Sequence, residues 1–385
     1  MPEPRGEPII VLHVGPSLEQ LGGMVTVLGQ ILSLDFGPRF RTCFHATTSS
    51  TAKAESLFSR VARHIKHLRS LRTAIVQDNA AIVHIHTCSG FSFYRSLLDL
   101  WVAKFHGCRT ILHIHGAAFD EFFERSGPFG RRLIPSGLSS ADRVIALSDG
   151  WGAKLSAMAP SARISVIENA VVVPERSPDR ADSTRSGPCH FVQLSKMDVW
   201  KGVDDLLAAC EILRESRCDF RVTLAGPPGS AGDASTLGNK IATRNLADRV
   251  RYIGPVVGAA KDSLLREADV FILPSHHEGM PLAVLEAMAS GLPVLATRVG
   301  AVPEIINEGT EGMLVAPRNP AALAAAMMTI ATDPDRRGRI ASTARATALR
   351  RFSLPRMAGR ILELYDNLLL NEAEVEGRRV EPAPT

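Results

Sequence analysis

Aromatic side chains are scarce in this chain: Phe, Tyr and Trp make up 5% of its 385 residues, with three Trp and three Tyr. A surface that stacks single-stranded bases interleaves aromatic with basic groups, and a formal net charge of +4 supplies no basic excess to complete one. Nucleic acid is therefore not expected as a partner. The six cysteines, Cys43, Cys88, Cys108, Cys189, Cys210 and Cys218, form no CxxC pair, so neither a zinc framework nor a disulfide scaffold is indicated. No apolar run reaches the roughly 18 residues of a membrane span. The start, MPEPRGEPIIVLHVG, lacks a basic leader followed by an apolar core. Both absences set the expectation of a cytoplasmic protein. No GxxxxGK[ST] occurs, and GPPGSAG at 226–232 lacks the lysine of a P-loop, which removes an ATPase reading.

What is present is a chain too long for one comfortable core and about right for two domains. Short apolar runs alternate with segments of helical period, the pattern of strand-helix units around a parallel sheet. Strands are predicted at 8–14, 81–86, 109–115 and 142–147. A second series follows in HFVQLS, FRVTLAG, RVRYIG, ADVFILPS and LPVLAT. Between the two lies PERSPDRADSTRSGP, rich in Pro, Ser and charge, with no apolar face to bury. The expected architecture is α/β, with two doubly wound Rossmann-like domains at 1–174 and 188–350, a linker at 175–187, and ligands bound beyond the carboxyl ends of the strands. A helix is expected at 351–372, packing back toward the cleft or the first domain, with a disordered tail at 373–385.

The densest motif is PSHHEGMPLAVLEAMASGLPVLAT at 274–297. A strand ends in the loop HHEGM, and a helix is predicted from Pro281 to just before Gly291. Glu278 falls on the loop, Glu286 one and a half turns into the helix. A helix N-terminus behind a glycine offers free N–H groups and a positive dipole end to a phosphate, and the flanking carboxylates would grip hydroxyls on the molecule that carries it. In LSKMDVWKGVDDLL, Lys196 and Lys201 follow a strand and precede a helix near Gly202. Two cations five residues apart can converge on a departing diphosphate. In the first half, HVGPSLEQLGGMVTVL sets Gly23 between a strand and an apolar helix, where backbone can approach a ligand. VHIHTCSG and LHIHGAAF end two strands. Alternation sends His84 and His86 to one face and His113 and His115 to one face, but with no carboxylate or thiol partner a metal site is not expected.

The 274–297 block resembles the Glu-x7-Glu signature of retaining nucleotide-sugar glycosyltransferases of GT-B architecture, those of glycosyltransferase family 4 in bacterial surface polysaccharide synthesis. The resemblance implies two Rossmann-like domains facing a central cleft. It implies that Glu286 holds the ribose hydroxyls of the donor and Glu278 contacts the donor sugar, while the backbone of Gly279, Met280, Pro281 and Leu282 approaches the sugar and diphosphate. The lysine segment is similar to the family's Arg-Leu-x-x-x-Lys-Gly, with Lys196 in place of arginine, which loses the bidentate fork and keeps the charge. By the same resemblance Gly23 lies near the donor phosphates, and His115 hydrogen-bonds a sugar hydroxyl. Phe119 to Phe123 would stand where an acceptor enters.

Between residues 53 and 72, six Lys or Arg accompany one Glu. Leu57, Val61, Ile65 and Leu68 form an apolar stripe expected to pack inward, and Arg60, Arg63, Lys66 and His67 a basic face able to meet an anionic membrane surface. The function expected is a metal-independent retaining hexosyltransferase. It would use a nucleoside-diphosphate sugar as co-substrate, no cofactor, and a glycan or lipid-linked glycan acceptor, in the cytoplasm or at the inner face of the membrane. His115, Lys201 and Glu278 are the expected catalytic groups. The alternatives are a nucleotide-sugar-binding protein that has lost activity, and a glycoside hydrolase using Glu278 and Glu286 as acid and base.

Overall fold

The computed structural model of the chain describes residues 7–20, 22–47, 57–174, 187–216, 218–229 and 234–379. The chain divides into two compact units. One runs to Asn169 and resumes at Leu354; the other is Ala170–Ser353. The expected linker at 175–187 lies outside the described residues, except for its last residue. The boundaries are set by packing: Val171 N–H donates to Phe352 O, which holds the chain's entry to and exit from the second unit together.

In the first unit, strands β1 (Ile9–Pro16), β2 (Phe40–Thr47), β3 (Ala80–Thr87), β4 (Arg109–Ile114), β5 (Arg143–Ala146) and β6 (Ile164–Val166) form a parallel sheet in the order β2-β1-β3-β4-β5-β6. The second unit repeats the plan with β7 (Cys189–Leu194), β8 (Phe220–Ala225), β9 (Val250–Tyr252), β10 (Val270–Leu273), β11 (Val294–Thr297) and β12 (Gly312–Val315), in the order β12-β11-β10-β7-β8-β9. β1, β3 and β7 are buried along nearly their whole length, as strands covered by helices on both faces must be. In each sheet the strand order reverses beside the unit's first strand, at β1/β3 and at β7/β10. This is the point where doubly wound sheets open a crevice at their carboxyl ends.

Three strands differ from expectation. β2, β6 and β12 were not anticipated, because FRTCFHAT is half-exposed at a sheet edge and the other two are only three or four residues long. The last helix, Leu354–Arg379, belongs to the first unit and continues through most of the expected tail; its NEAEVEGRR stretch is made largely of good helix formers.

The helix Leu57–Gln77 departs from the expected facing in part: Lys66 stays exposed and Leu68 is partly buried, but His67 and the upper stripe do not follow. His67, placed on the basic face by its wheel position, is buried and lies 2.9 Å from the buried Asp99 carboxylate, with Leu71 and Ile75 buried on the turns that follow. Val61 and Ile65 of the expected packing stripe are exposed. The demand of Asp99 for a partner inside the unit outweighs the apolar stripe. Beside this helix runs a groove of about 470 Å³, lined by Ile65, Leu68, Leu98, Trp101 and Phe105 with Arg69 and Arg72 among them. Among the described residues no helix is long and apolar enough to cross a membrane.

Candidate active site

The switch point of the second sheet gathers the loops after β7 and β10. After β7 the chain makes a short 3-10 turn, Val199–Lys201, capped by Asp198 Oδ1, which accepts from Trp200 N–H. The buried Gln193 amide donates to Lys201 O at 2.9 Å and to Ser195 Oγ at 3.0 Å, fixing that turn from beneath. Gly202 follows with φ +67, and a Cβ there would run into the carbonyl of Pro274. The glycine therefore lets the Lys201 turn lie directly on the end of β10. His276 N–H donates to Trp200 O at 2.8 Å, and the His276 ring is 2.7 Å from Asp205, so the two loops are tied at both levels.

Across this junction Lys201 Nζ donates to Glu278 Oε1 at 2.6 Å, and Ser275 Oγ donates to the same oxygen at 2.7 Å. The Glu278 side chain is 6% exposed and that of Lys201 26%. Among the described residues no hydrogen bond engages Glu278 Oε2. A second glycine supports the carboxylate loop: Gly300 has φ +54, a Cβ on it would strike Glu278 O, and Ala301 N–H donates to Gly279 O at 2.9 Å.

The helix Leu282–Ala289 begins one residue later than expected, with Pro281 as its cap rather than its first residue, because Pro281 has extended dihedrals. Gly279, Met280, Pro281 and Leu282 are all buried and lead into the helix N-terminus, where Val284 and Leu285 N–H donate to Pro281 O and the N–H groups of Leu282 and Ala283 have no partner within the helix. Glu286 stays partly exposed, and its Oε1 accepts from Lys261 Nζ at 2.7 Å.

The structure thus brings Lys201 to Glu278 and leads Gly279–Leu282 from one carboxylate to the other. Lys196 does not join Lys201: it is half-exposed and faces Asp198 at 3.7 Å. Lys261, Ser275, Gln193 and Gly300 were missed. Lys261 is 25 residues from its partner and carries no local motif. The glycine after β11 was the one available signal among the four.

Gly23 and His115 belong to the first unit. Gly23 opens the helix Gly23–Leu32 after β1, exposed, with open space where a Cβ would stand. His115 follows β4, its ring Nε2 3.0 Å from His86 Nδ1. His13, His84, His86 and His113 are buried around it. Desolvation holds His13 and His115 down to about 3, and holds His84, His86 and His113 well below the usual histidine range, with mutual repulsion adding to it. One nitrogen each from His13, His84 and His86, and likewise from His86, His113 and His115, lie within 4.8 Å of one another, so these trios are the residues that could hold a metal ion. In the first trio the His84 and His86 rings stack at 10°, which sends their in-plane lone pairs along parallel planes rather than to one point. Phe119, expected near an acceptor, is fully buried against Phe93 and Phe122, and Asp120 pairs with Lys154 at 2.6 Å.

Comparison with known proteins gives the same outline. Residues 9–170 match the family model described as glycosyl transferase 4-like domain, and residues 188–333 match glycosyl transferases group 1. The glycogen synthase of Mycobacterium tuberculosis is 31% identical over 204 residues, 53% of this chain and 48% of that protein, so the match spans about half the relative's length. The D-inositol 3-phosphate glycosyltransferase of Corynebacterium glutamicum is 28% identical over 310 residues, 76% of this chain and 73% of that protein. Among solved structures, sucrose-phosphate synthase from Thermosynechococcus elongatus superposes with a TM-score of 0.76 at 17% identity, covering 94% of this chain and all of that one. Anabaena Alr3699/HepE in complex with UDP does so at 0.73 and 18%, covering 93% of this chain and all of that one. With one glycosyltransferase model matched in each unit and this fold in both, the chain belongs to the group 1 glycosyltransferases of GT-B architecture.

Proposed function

We propose that this protein is a retaining glycosyltransferase that moves a hexose from a nucleoside-diphosphate sugar to a hydroxyl of a glycan or lipid-linked glycan in polysaccharide synthesis. The observation that carries the proposal is the Lys201–Glu278 pair at the β7/β10 switch point, directly before a helix N-terminus. Its features suit a donor of that kind. Lys201 and the first-turn N–H groups of the 282–289 helix supply positive charge where a diphosphate leaves. Glu278, anchored through Oε1, has Oε2 to accept from a sugar hydroxyl. Glu286, held through Oε1 by Lys261, has the reach to take ribose hydroxyls. UDP in the Anabaena structure supports a nucleotide in this fold.

In the reaction, the anomeric carbon–oxygen bond to the diphosphate breaks and the bond to the acceptor oxygen forms on the same face. The acceptor proton passes to the departing phosphate oxygen. Because Lys201 and the helix N-terminus carry the charge stabilisation, the proposal assigns no metal and no cofactor. A glycoside hydrolase using Glu278 and Glu286 would leave Lys201 and Lys261, each bonded to one of those carboxylates, without a role. The apolar, basic groove beside the helix Leu57–Gln77 supports a peripheral position on an anionic membrane, where a lipid-linked acceptor is found.

The test is thermal melting against UDP-, GDP- and ADP-sugars. A ligand at 100 times its dissociation constant stabilises by about 2.7 kcal/mol, a shift of several degrees. No shift with any of them sinks the proposal, and nucleotide binding without release of nucleoside diphosphate in the presence of acceptor reduces it to a binding protein.

A further inference from the structure

Five histidines and one tyrosine of the first unit form one hydrogen-bonded chain, buried except at its end, His115, which alone of them was among the expected catalytic groups. Parallel pairing creates it, setting His13 of β1 beside His84 of β3 and His86 of β3 beside His113 of β4. The helix Leu354–Arg379 inserts Tyr365, whose hydroxyl is 2.9 Å from His84 Nδ1 and 3.3 Å from His13 Nε2. Two arms leave it. One runs from His84 Nε2 to His113 Nδ1 at 3.2 Å. The other runs from His13 Nδ1 to His86 Nε2 at 3.1 Å, then from His86 Nδ1 to His115 Nε2 at 3.0 Å.

Burial keeps every ring neutral and pushes the Tyr365 phenol well above its ordinary value. Each imidazole then has one N–H and one bare nitrogen, and the phenol has one proton. With the phenolic proton given to one of its two ring neighbours, two patterns make all five contacts: every ring protonated on Nε2, with Tyr365 donating to His84 and accepting from His13, or every ring protonated on Nδ1, with Tyr365 donating to His13 and accepting from His84. The phenolic proton therefore decides both arms together.

We propose that Tyr365 is a positioning residue that fixes His115 as its Nε2–H tautomer, so that Nδ1 is a hydrogen-bond acceptor for a sugar hydroxyl. The two hydroxyl contacts select the direction. The phenol is the stronger donor and makes the shorter bond, to His84, while the longer bond suits a ring N–H from His13. Each following ring is then set by the bond its neighbour makes. The cost falls on the far arm, at His113 Nε2, which has no partner among the described residues. Among the described residues no hydrogen bond engages His115 Nδ1. The role toward sugar rests on the function proposed above; the tautomer does not.

The test is nitrogen-15 NMR of histidine-labelled protein, which distinguishes protonated from bare ring nitrogens. In the unsubstituted protein all five rings carry the proton on Nε2. In Tyr365→Phe, His13 Nε2–H loses its acceptor, so that arm reverses: His13, His86 and His115 move to Nδ1–H, while His84 and His113 keep Nε2–H. His190 in the second unit, with Nε2 2.8 Å from Thr223 Oγ1, is unchanged in the same spectra and reports that the protein is folded. An unsubstituted protein with His115 protonated on Nδ1, or with His13 and His115 in different tautomers, overturns the proposal even if the variant does not fold. A folded variant with His115 unchanged overturns it as well. Turnover of a nucleotide sugar is expected to fall about tenfold in the variant, with nucleotide affinity retained. A protein that turns over no nucleotide sugar defeats the function and leaves the spectral test standing.

Discussion

Removing Lys201 should cost more than neutralising Glu278, although both changes break the same bond. In Lys201→Met the carboxylate stays behind with a side chain only 6% exposed and Ser275 Oγ as its one remaining partner among the described residues. Breaking a buried pair so that a charge is stranded costs about 3–5 kcal/mol, and the quarter exposure of Lys201 places this pair at the low end, about 3 kcal/mol. In Glu278→Gln the amide oxygen still accepts from Lys201 and Ser275, and the ammonium can extend toward water along its stem, so the loss should be about 1 kcal/mol. The double variant strands no charge and should lose about 2 kcal/mol, less than the sum of the singles by about as much again. For a unit of this size each kcal/mol is about 2–4 °C, which puts Lys201→Met about 6–12 °C below the parent. Urea unfolding read by Trp200 fluorescence measures it, since Trp200 is the one tryptophan of the second unit and Trp101 and Trp151 can be replaced. Equal losses from the two single changes, or a double variant equal to their sum, refute the idea that a stranded carboxylate dominates.

Glu286→Ala is expected to weaken nucleotide binding about tenfold or more with little loss of melting temperature, while Glu278→Gln mainly lowers turnover; titration calorimetry beside a turnover assay separates the two, and identical nucleotide affinity in both variants and the parent rejects these roles. The first unit should lose stability in acid. His13 and His115 sit near 3 when folded and near 6.5 when unfolded, so the unfolded chain binds more protons below pH 6.5, and stability is lost as pH falls from there toward 3. Each contributes about 2 kcal/mol of loss between pH 7 and pH 5, and urea midpoints of the first unit that do not fall over that range contradict the buried neutral rings. Ile65→Asp and Phe105→Asp should each release the protein from anionic phospholipid vesicles in a sedimentation assay, and equal binding to neutral vesicles would remove the electrostatic half of the membrane proposal.

The fold was legible because strands buried on both faces write themselves as apolar runs, as PIIVLHV and ADVFILPS do. The edge strand Phe40–Thr47 was not, since half its side chains meet water and no periodicity survives. The 274–297 block was readable because its loop, helix start and carboxylates are consecutive. Lys261 was not, because its relation to Glu286 exists only once two helices have folded against the sheet. The basic helix misled for a related reason: its wheel displays an apolar stripe, but Asp99, on another helix, claims His67 and turns the stripe outward. The histidines were visible as pairs, whereas their union into one chain depends on strand register and on Tyr365, 250 residues beyond His115.

The helix Leu354–Arg379 completes the first unit from the far end of the chain, after all of the second unit has been made. Emerging from a ribosome, the first sheet can form early, yet His13 and His84 must wait for Tyr365 until the whole of Ala170–Ser353 has passed. Maturation of the first unit is thereby a checkpoint on full-length synthesis, since a chain cut after Ser353 would carry both sheets but leave two buried rings facing an unfilled place.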